Sequence, residues 1–214
     1  MAVLVVAKAP VAGLVKTRLG VEIGMERAAD LAAAALLDTL EACTEAFGPG
    51  GCHLALDGDL VGCERADEMT RSTAGWNVFP QQGKGLGRRL RNAHEHVHTV
   101  VGGPVIQVGM DTPQAGAVAL RTAARRLTCP SDAVLGAAYD GGWWLLGVGH
   151  SDLVRHLDDV PMSAPDTFTE TLRMLERAGA TVSLAEPLRD VDTVEDARLV
   201  ASEAPHTRFA EAWR

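Results

Sequence analysis

Short apolar runs of strand length alternate along this chain with longer stretches in which apolar and charged residues recur at helical spacing. Residues 2–7 are apolar without a break, the pattern of a parallel strand buried on both faces. Residues 26–47 are rich in Ala and Leu with charges at helical intervals, and Gly48-Pro49-Gly50-Gly51 stops that helix. Strand patterns follow at 52–56 and 76–80, a helix at 87–100, a buried strand at 105–108 and a helix at 115–127. The rhythm then changes. Two strand-like runs, 133–138 and 143–148, are joined through Asp140-Gly141-Gly142, a turn suited to a hairpin or sharp corner. Helices near 151–157 and 165–178, a strand at 181–184 and a helix at 193–202 complete the pattern. Strand–helix alternation predicts an α/β fold with a mainly parallel sheet, and the hairpin makes the sheet mixed.

The 214 residues suit one α/β domain, assigned to residues 1–205, and the short polar stretch 206–214 is expected to fray. With aromatics at only 4%, the core has to be built from Ala, Val and Leu. A net charge of −8 disfavours nucleic acid, which needs clustered Lys and Arg, but leaves room for a small polyphosphate held by a few converging cations. Cys43, Cys52, Cys63 and Cys129 form no C-x-x-C pair and read as reduced thiols. The N-terminal run is too short for a signal sequence, and 28–40 is too short and too charged to span a bilayer. The expectation is a cytoplasmic protein with no membrane association.

In open α/β sheets ligands bind beyond the carboxyl ends of the strands, so the residues after each strand carry the candidate chemistry. The first strand is followed by Lys8, Gly13, Lys16 and Arg18, a basic loop entering a helix and suited to phosphate, although it is neither a Walker A loop nor a G-x-G-x-x-G fingerprint. Asp111 follows the 105–108 strand, where a carboxylate can hold Mg²⁺ or Mn²⁺ or cap the next helix. Asp140 stands at another strand end. Asp190 and Asp192 precede the last helix and alternate onto one side, as metal or substrate groups or as N-caps.

The segments KAPVAGLVKTRL, QQGKGLGRRL, VGMDTP, GAAYDGGWWLLGV and DVDTVEDA stand in the order seen in the DUF2064, or glycosyltransferase-like transferase 1, family. The sequence resembles that family from about Val3 to Ala197. It is similar to the 2-phospholactate guanylyltransferases and, more distantly, to the molybdenum-cofactor guanylyltransferases. The resemblance implies the GT-A nucleotide-diphospho-sugar transferase fold, a three-layer α/β/α Rossmann-like arrangement. It implies nucleotide-phosphate binding by Lys8, Lys16 and Arg18 with Gly13 allowing close approach, and base or ribose contacts near Gln82 and Gly83. A metal site of Asp111 and Asp192, and an acceptor side formed by Asp140, Gly141, Gly142 and Trp143, complete the implied set. Gly85, Tyr139, Trp143, Trp144 and Met162-Ser163-Ala164 depart from the family pattern, mostly on the acceptor side.

His94-Glu95-His96-Val97-His98 matches H-E-x-x-H, but no third zinc ligand has a known spacing, and the run is expected to be a solvated helix face. The leading expectation is therefore a Mg²⁺- or Mn²⁺-dependent nucleotidyltransferase, with Lys16, Asp111 and Asp140 as its catalytic residues. It would take a nucleoside triphosphate and a small phosphorylated or hydroxyl acceptor. The rivals are glycosyl transfer from a nucleotide sugar and a non-catalytic nucleotide-binding protein. An exposed Trp143-Trp144 pair would offer a surface for a homodimer.

Overall fold

A computed structural model describes residues 1–214. Seven strands form one sheet in the order β3-β2-β1-β4-β6-β5-β7. They are β1 Ala2–Lys8, β2 Cys52–Asp57, β3 Asn77–Pro80, β4 Val105–Val108, β5 Asp132–Ala138, β6 Trp143–Val148 and β7 Thr181–Leu188. Strand β1 runs parallel to β2 and β4, β2 to β3, and β5 to β7, whereas β6 is antiparallel to both its neighbours. The α/β class and the mixed, mainly parallel sheet are thus as expected, and the reversed strand is the one the Asp-Gly-Gly turn introduces.

Alternation along the strands separates two faces. Val3, Val5 and Ala7 of β1 share a core with α2 (Met25–Phe47), α3 (Ala66–Ser72) and α5 (Ala117–Ala124). Ala2 and Leu4 point the other way, onto α4 (Leu86–Val101). Beside that helix, α6 (Thr167–Arg177) covers β5 and β6. Helices therefore lie on both faces of the sheet. The scarcity of aromatics is met by the Ala and Leu stripe of α2, which buries Leu31, Leu36, Leu37 and Leu40 together with Ala28 to Ala29 and Ala32 to Ala35.

Three helices fall outside the apolar periodicity, the first of them expected only as the helix that the basic loop enters. α1 (Thr17–Ile23) and α3 are each a 7-residue element, too short to show a period. The third, α8 (Arg208–Trp213), overturns the expectation of a frayed terminus. Phe209 is buried among Leu31, Ala35 and Val200 of α2 and α7 (Val194–Glu203). The backbone N–H groups of Arg208 and Phe209 both donate to the buried Asp38 carboxylate, each at 2.9 Å. Buried Phe209 and Ala210 and acceptors distant in the chain hold the segment, and these partners leave no local signature.

The tryptophan pair is likewise not an exposed patch. Trp144 is 3% exposed and its indole N–H donates to the Glu186 carbonyl at 3.0 Å. Trp143, on the opposite face of β6, lies half-buried against α6 and donates to Thr171 Oγ1 at 3.1 Å. No helix is long and apolar enough to cross a membrane.

Candidate functional site

The order of connections reverses at β1, whose neighbours β2 and β4 lie on opposite sides. The crevice at the carboxyl ends of β1 and β4 is therefore the topological switch point of the sheet. Chain segments leaving β1, β4, β5 and β7 meet there.

After β1 the chain turns through Gly13, with φ of 78°, and reaches Lys16 in a left-handed conformation of φ 46° and ψ 40°. That turn aims the Lys16 side chain inward. Its ammonium lies 2.7 Å from Asp111 Oδ1 and 3.0 Å from Asp192 Oδ1, with 8% of the side chain exposed. Arg18, on the first turn of α1, donates to Asp192 Oδ2 at 2.5 Å from the solvent side. Burial acts to lower the pKa of Lys16, but the Asp111 and Asp192 carboxylates outweigh it, and the group stays cationic above its ordinary range. Of the expected phosphate-gripping cations, Lys16 thus turns toward carboxylates, whereas Lys8 and Arg18 remain exposed around it. Both line a hollow of about 300 Å³ that also includes Thr17, Asp111 and Asp192.

The two alternative capping roles are excluded by geometry. Helix α5 begins at Ala117, well after Asp111, and Gly116 occupies its N-cap. Helix α7 is capped by Thr193 and Asp196, whose side chains and backbone N–H groups bond reciprocally as a capping box. Asp111, Asp190 and Asp192 are therefore free to form the site, and a bond from Val191 N–H to the Asp111 carbonyl at 3.0 Å ties their segments together.

Asp190 is part of the same cluster. Its burial, reinforced by Asp140 and Asp111 and opposed by Lys16, pushes its pKa up to about 7. Asp140 enters from the turn after β5, where Oδ1 accepts the Gly142 N–H at 2.7 Å. Gly141 holds φ of 90°, and any side chain there would strike the Pro165 carbonyl, so the turn and the loop before α6 fit only with glycine.

A second hollow of about 400 Å³ adjoins the first, sharing Lys8, Met110 and Asp111. Asp140, Gly142, Trp143 and Asp190 line one end, and Asp57, Gln81 and Arg89 the other. Gln82 and Gly83 are not in it. Gln82 lines a separate small cavity with Phe79, Asn92 and His96, and Gly83 O accepts from Arg89 Nε at 3.3 Å. The preceding residue, Gln81, occupies the cleft and donates to the Ala7 and Ala55 carbonyls at 2.8 and 3.1 Å. Sequence reasoning missed Gln81, Arg89, Asp57 and Gln107. The ends of β2 and β3 could have pointed to Asp57 and Gln81, whereas Arg89 lies on the first turn of α4 and Gln107 inside a strand, and neither carried a signal.

In the His-rich run Glu95 and His96 are exposed, as a solvated face requires, but His94 departs from it. His94 is fully buried, and burial pushes its pKa down to about 4, so it is neutral. His96 stacks against Phe79 with ring centroids 4.3 Å apart, and His98 meets His150 at the same centroid spacing. Nowhere do three or more His, Cys, Asp or Glu side chains form a set able to hold a metal by themselves. Asp111 and Asp192, reaching a common ammonium, nevertheless offer two hard oxygen ligands. That matches the chemistry of Mg²⁺, which takes one or two carboxylates and completes its shell with phosphate and water.

A family model described as "Uncharacterized protein conserved in bacteria (DUF2064)" matches residues 39–164. No curated protein matches the chain. Among solved structures, a Desulfovibrio desulfuricans G20 protein provisionally named a nucleotide-diphospho-sugar transferase superposes with a TM-score of 0.80 at 24% identity, covering 100% of this chain and 93% of that one. A cytidylyltransferase from Leptospira borgpetersenii gives 0.58 at 12% identity, covering 99% and 91%. A CMP:2-keto-3-deoxy-manno-octonic acid synthetase complexed with CTP gives 0.55 at 13% identity, covering 96% and 99%. At these identities the likeness is one of fold.

Proposed function

The chain belongs to the DUF2064 family, and from that premise we propose that it is a metal-dependent transferase using a nucleotide donor, transferring a nucleotidyl group to a small acceptor. One observation carries the proposal: Lys16 and Arg18 from the loop after β1 converge with Asp111 after β4 and Asp192 after β7 at the switch point of the sheet. Cations and carboxylates meeting at one point suit a polyphosphate accompanied by a divalent ion. The names of the structural neighbours, which include nucleotidyltransferases and a nucleotide-diphospho-sugar transferase, agree with it.

In this reading Lys8 and Arg18 receive the triphosphate at the rim of the first hollow, and the open side of Gly13 lets its oxygens approach the backbone. Asp111 and Asp192 would hold Mg²⁺ or Mn²⁺, which would supply charge neutralisation to the phosphates. The acceptor lies in the second hollow, near Asp140. Its oxygen forms a bond to the α-phosphorus as the bond from that phosphorus to the β-bridging oxygen breaks. Pyrophosphate leaves with the electron pair, and a hydroxyl acceptor's proton passes to Asp140. Lys16, already cationic and dry, offsets charge developing on the phosphates without reorganising solvent. Positioning and charge then carry the catalysis, with no covalent nucleophile.

The name of the Desulfovibrio protein favours a second reading, glycosyl transfer from a nucleotide sugar. Thermal unfolding with a panel of nucleoside triphosphates and nucleotide sugars, each with and without Mg²⁺ or Mn²⁺, separates the two. Metal-dependent stabilisation by one triphosphate supports nucleotidyl transfer and identifies the base. Stabilisation by nucleotide sugars alone moves the assignment to glycosyl transfer, and no response to either class refutes nucleotide use.

A further inference from the structure

Gln107 is the one polar side chain inside strand β4 and is 2% exposed. Odd-numbered positions of β4 face α4, so Gln107 lies on the floor of the second hollow and lines it. Its Oε1 is shut off from the hollow on the core side. Behind it, His94 of α4 meets that oxygen from within the core, which leaves the amide N–H donors as the edge of Gln107 toward the hollow. A buried amide donor left without an acceptor is costly, so a hydroxyl that accepts from it is favoured there. Gln81 is already committed, its amide donating to two strand carbonyls.

The charges around the amide restrict what can reach it. Asp140 and Asp190 stand at one end of the hollow, and the guanidinium at the other is bound to Asp57 at 2.8 Å. An anionic acceptor group would enter among carboxylates with no unpaired cation nearby except Lys8, which belongs equally to the first hollow. The indole of Trp143, fixed through Thr171, supplies a flat apolar wall. An apolar wall facing carboxylates and an amide suits a ring or chain bearing hydroxyls, which both donate and accept hydrogen bonds.

We propose that the second hollow takes an uncharged, hydroxyl-bearing acceptor, and that Gln107, braced by His94, is the specificity-determining residue that bonds one of its hydroxyls. The inference rests on the reading of the neighbouring hollow as the polyphosphate side. Phosphate-ester acceptors are correspondingly disfavoured.

The test is ligand-observed saturation-transfer NMR on the full chain with matched pairs: glucose and glucose 1-phosphate, N-acetylglucosamine and its 1-phosphate, ribitol and ribitol 5-phosphate. At least one uncharged member should bind more tightly than its phosphate ester. Gln107→Leu should weaken that member about tenfold, the loss expected for one hydrogen bond, while leaving triphosphate binding by thermal shift unchanged. Gln107→Glu keeps the shape but removes the amide donor, and serves if the Leu variant does not fold. Tighter binding of the phosphate esters, failure of every uncharged member to bind at millimolar concentration, or unchanged affinity in both variants overturns the proposal. A triphosphate that still stabilises the protein in those cases leaves the nucleotide reading standing; loss of both responses removes that reading too.

Discussion

Asp190 and Asp111 differ in what their environments ask of them. Asp190 binds its proton up to about pH 7 in the folded protein, against an ordinary value of 3.8. Between those values the unfolded chain has released a proton that the folded chain retains. Stability from this group is therefore complete below about pH 4 and is lost as pH rises toward 7, by at most about 1.4 kcal/mol per pH unit and less where cleft water screens it. Chemical denaturation from pH 4 to 8 should show that fall, and Asp190→Asn should flatten it. An unchanged slope would mean the carboxyl is solvated. For Asp111, substitution by Asn preserves the shape of the tip that meets Lys16 but removes its charge. Turnover is expected to drop by at least about a hundredfold, the scale of losing a group that stabilises transition-state charge, while the chain still folds with a lowered midpoint, because the buried Lys16 ammonium keeps only Asp192. Full activity in that variant would rule out Asp111 as a metal ligand.

At the level of elements, two contacts decide how the periphery is held. Helix α8 depends on Asp38, which accepts two backbone N–H groups from Arg208 and Phe209. Asp38→Ala leaves both donors buried without a partner and should cost about 2–3 kcal/mol. Truncation after residue 205 also removes Phe209 from its pocket and should cost about 3–5 kcal/mol, measured by urea denaturation. If the truncated chain is as stable as the whole, α8 is not part of the core. The turn between β5 and β6 depends on Gly141, where a Cβ has no room beneath Pro165. Gly141→Ala is expected to push the loop before α6 away from the cleft and to lower activity more than stability, visible as altered amide shifts near Trp143 and Thr167.

For the molecule as a whole, the site couples ligand to fold, because its residues come from four separate chain segments. A nucleoside triphosphate with Mg²⁺ at about a hundred times its dissociation constant should add roughly 2.7 kcal/mol to unfolding stability. Zinc chelation should change nothing, since His94 is buried and neutral and its helix offers no assembled ligand set. A drop in midpoint with a zinc-selective chelator would reopen the H-E-x-x-H reading.

The sequence by itself determined the alternation of strands and helices, the reversed strand after Asp140-Gly141-Gly142, and the loops where charged residues gather. These follow from local rules: apolar period, glycine and proline as breakers, and ligand sites at strand ends. It placed Lys16, Asp111, Asp140 and Asp192 among the candidates, and the fold brings all four to one crevice. Only tertiary structure decided that Lys16 points inward between two carboxylates, that Gln81 rather than Gln82 faces the cleft, that His94 and Trp144 are buried, and that residues 208–213 form a packed helix. Each depends on which face of an element meets a partner far away in the chain, and a window of neighbouring residues holds no record of that partner. Gln107 is the sharpest case: within a strand it reads as an isolated polar interruption, and it becomes a candidate contact only where β4 borders the hollow.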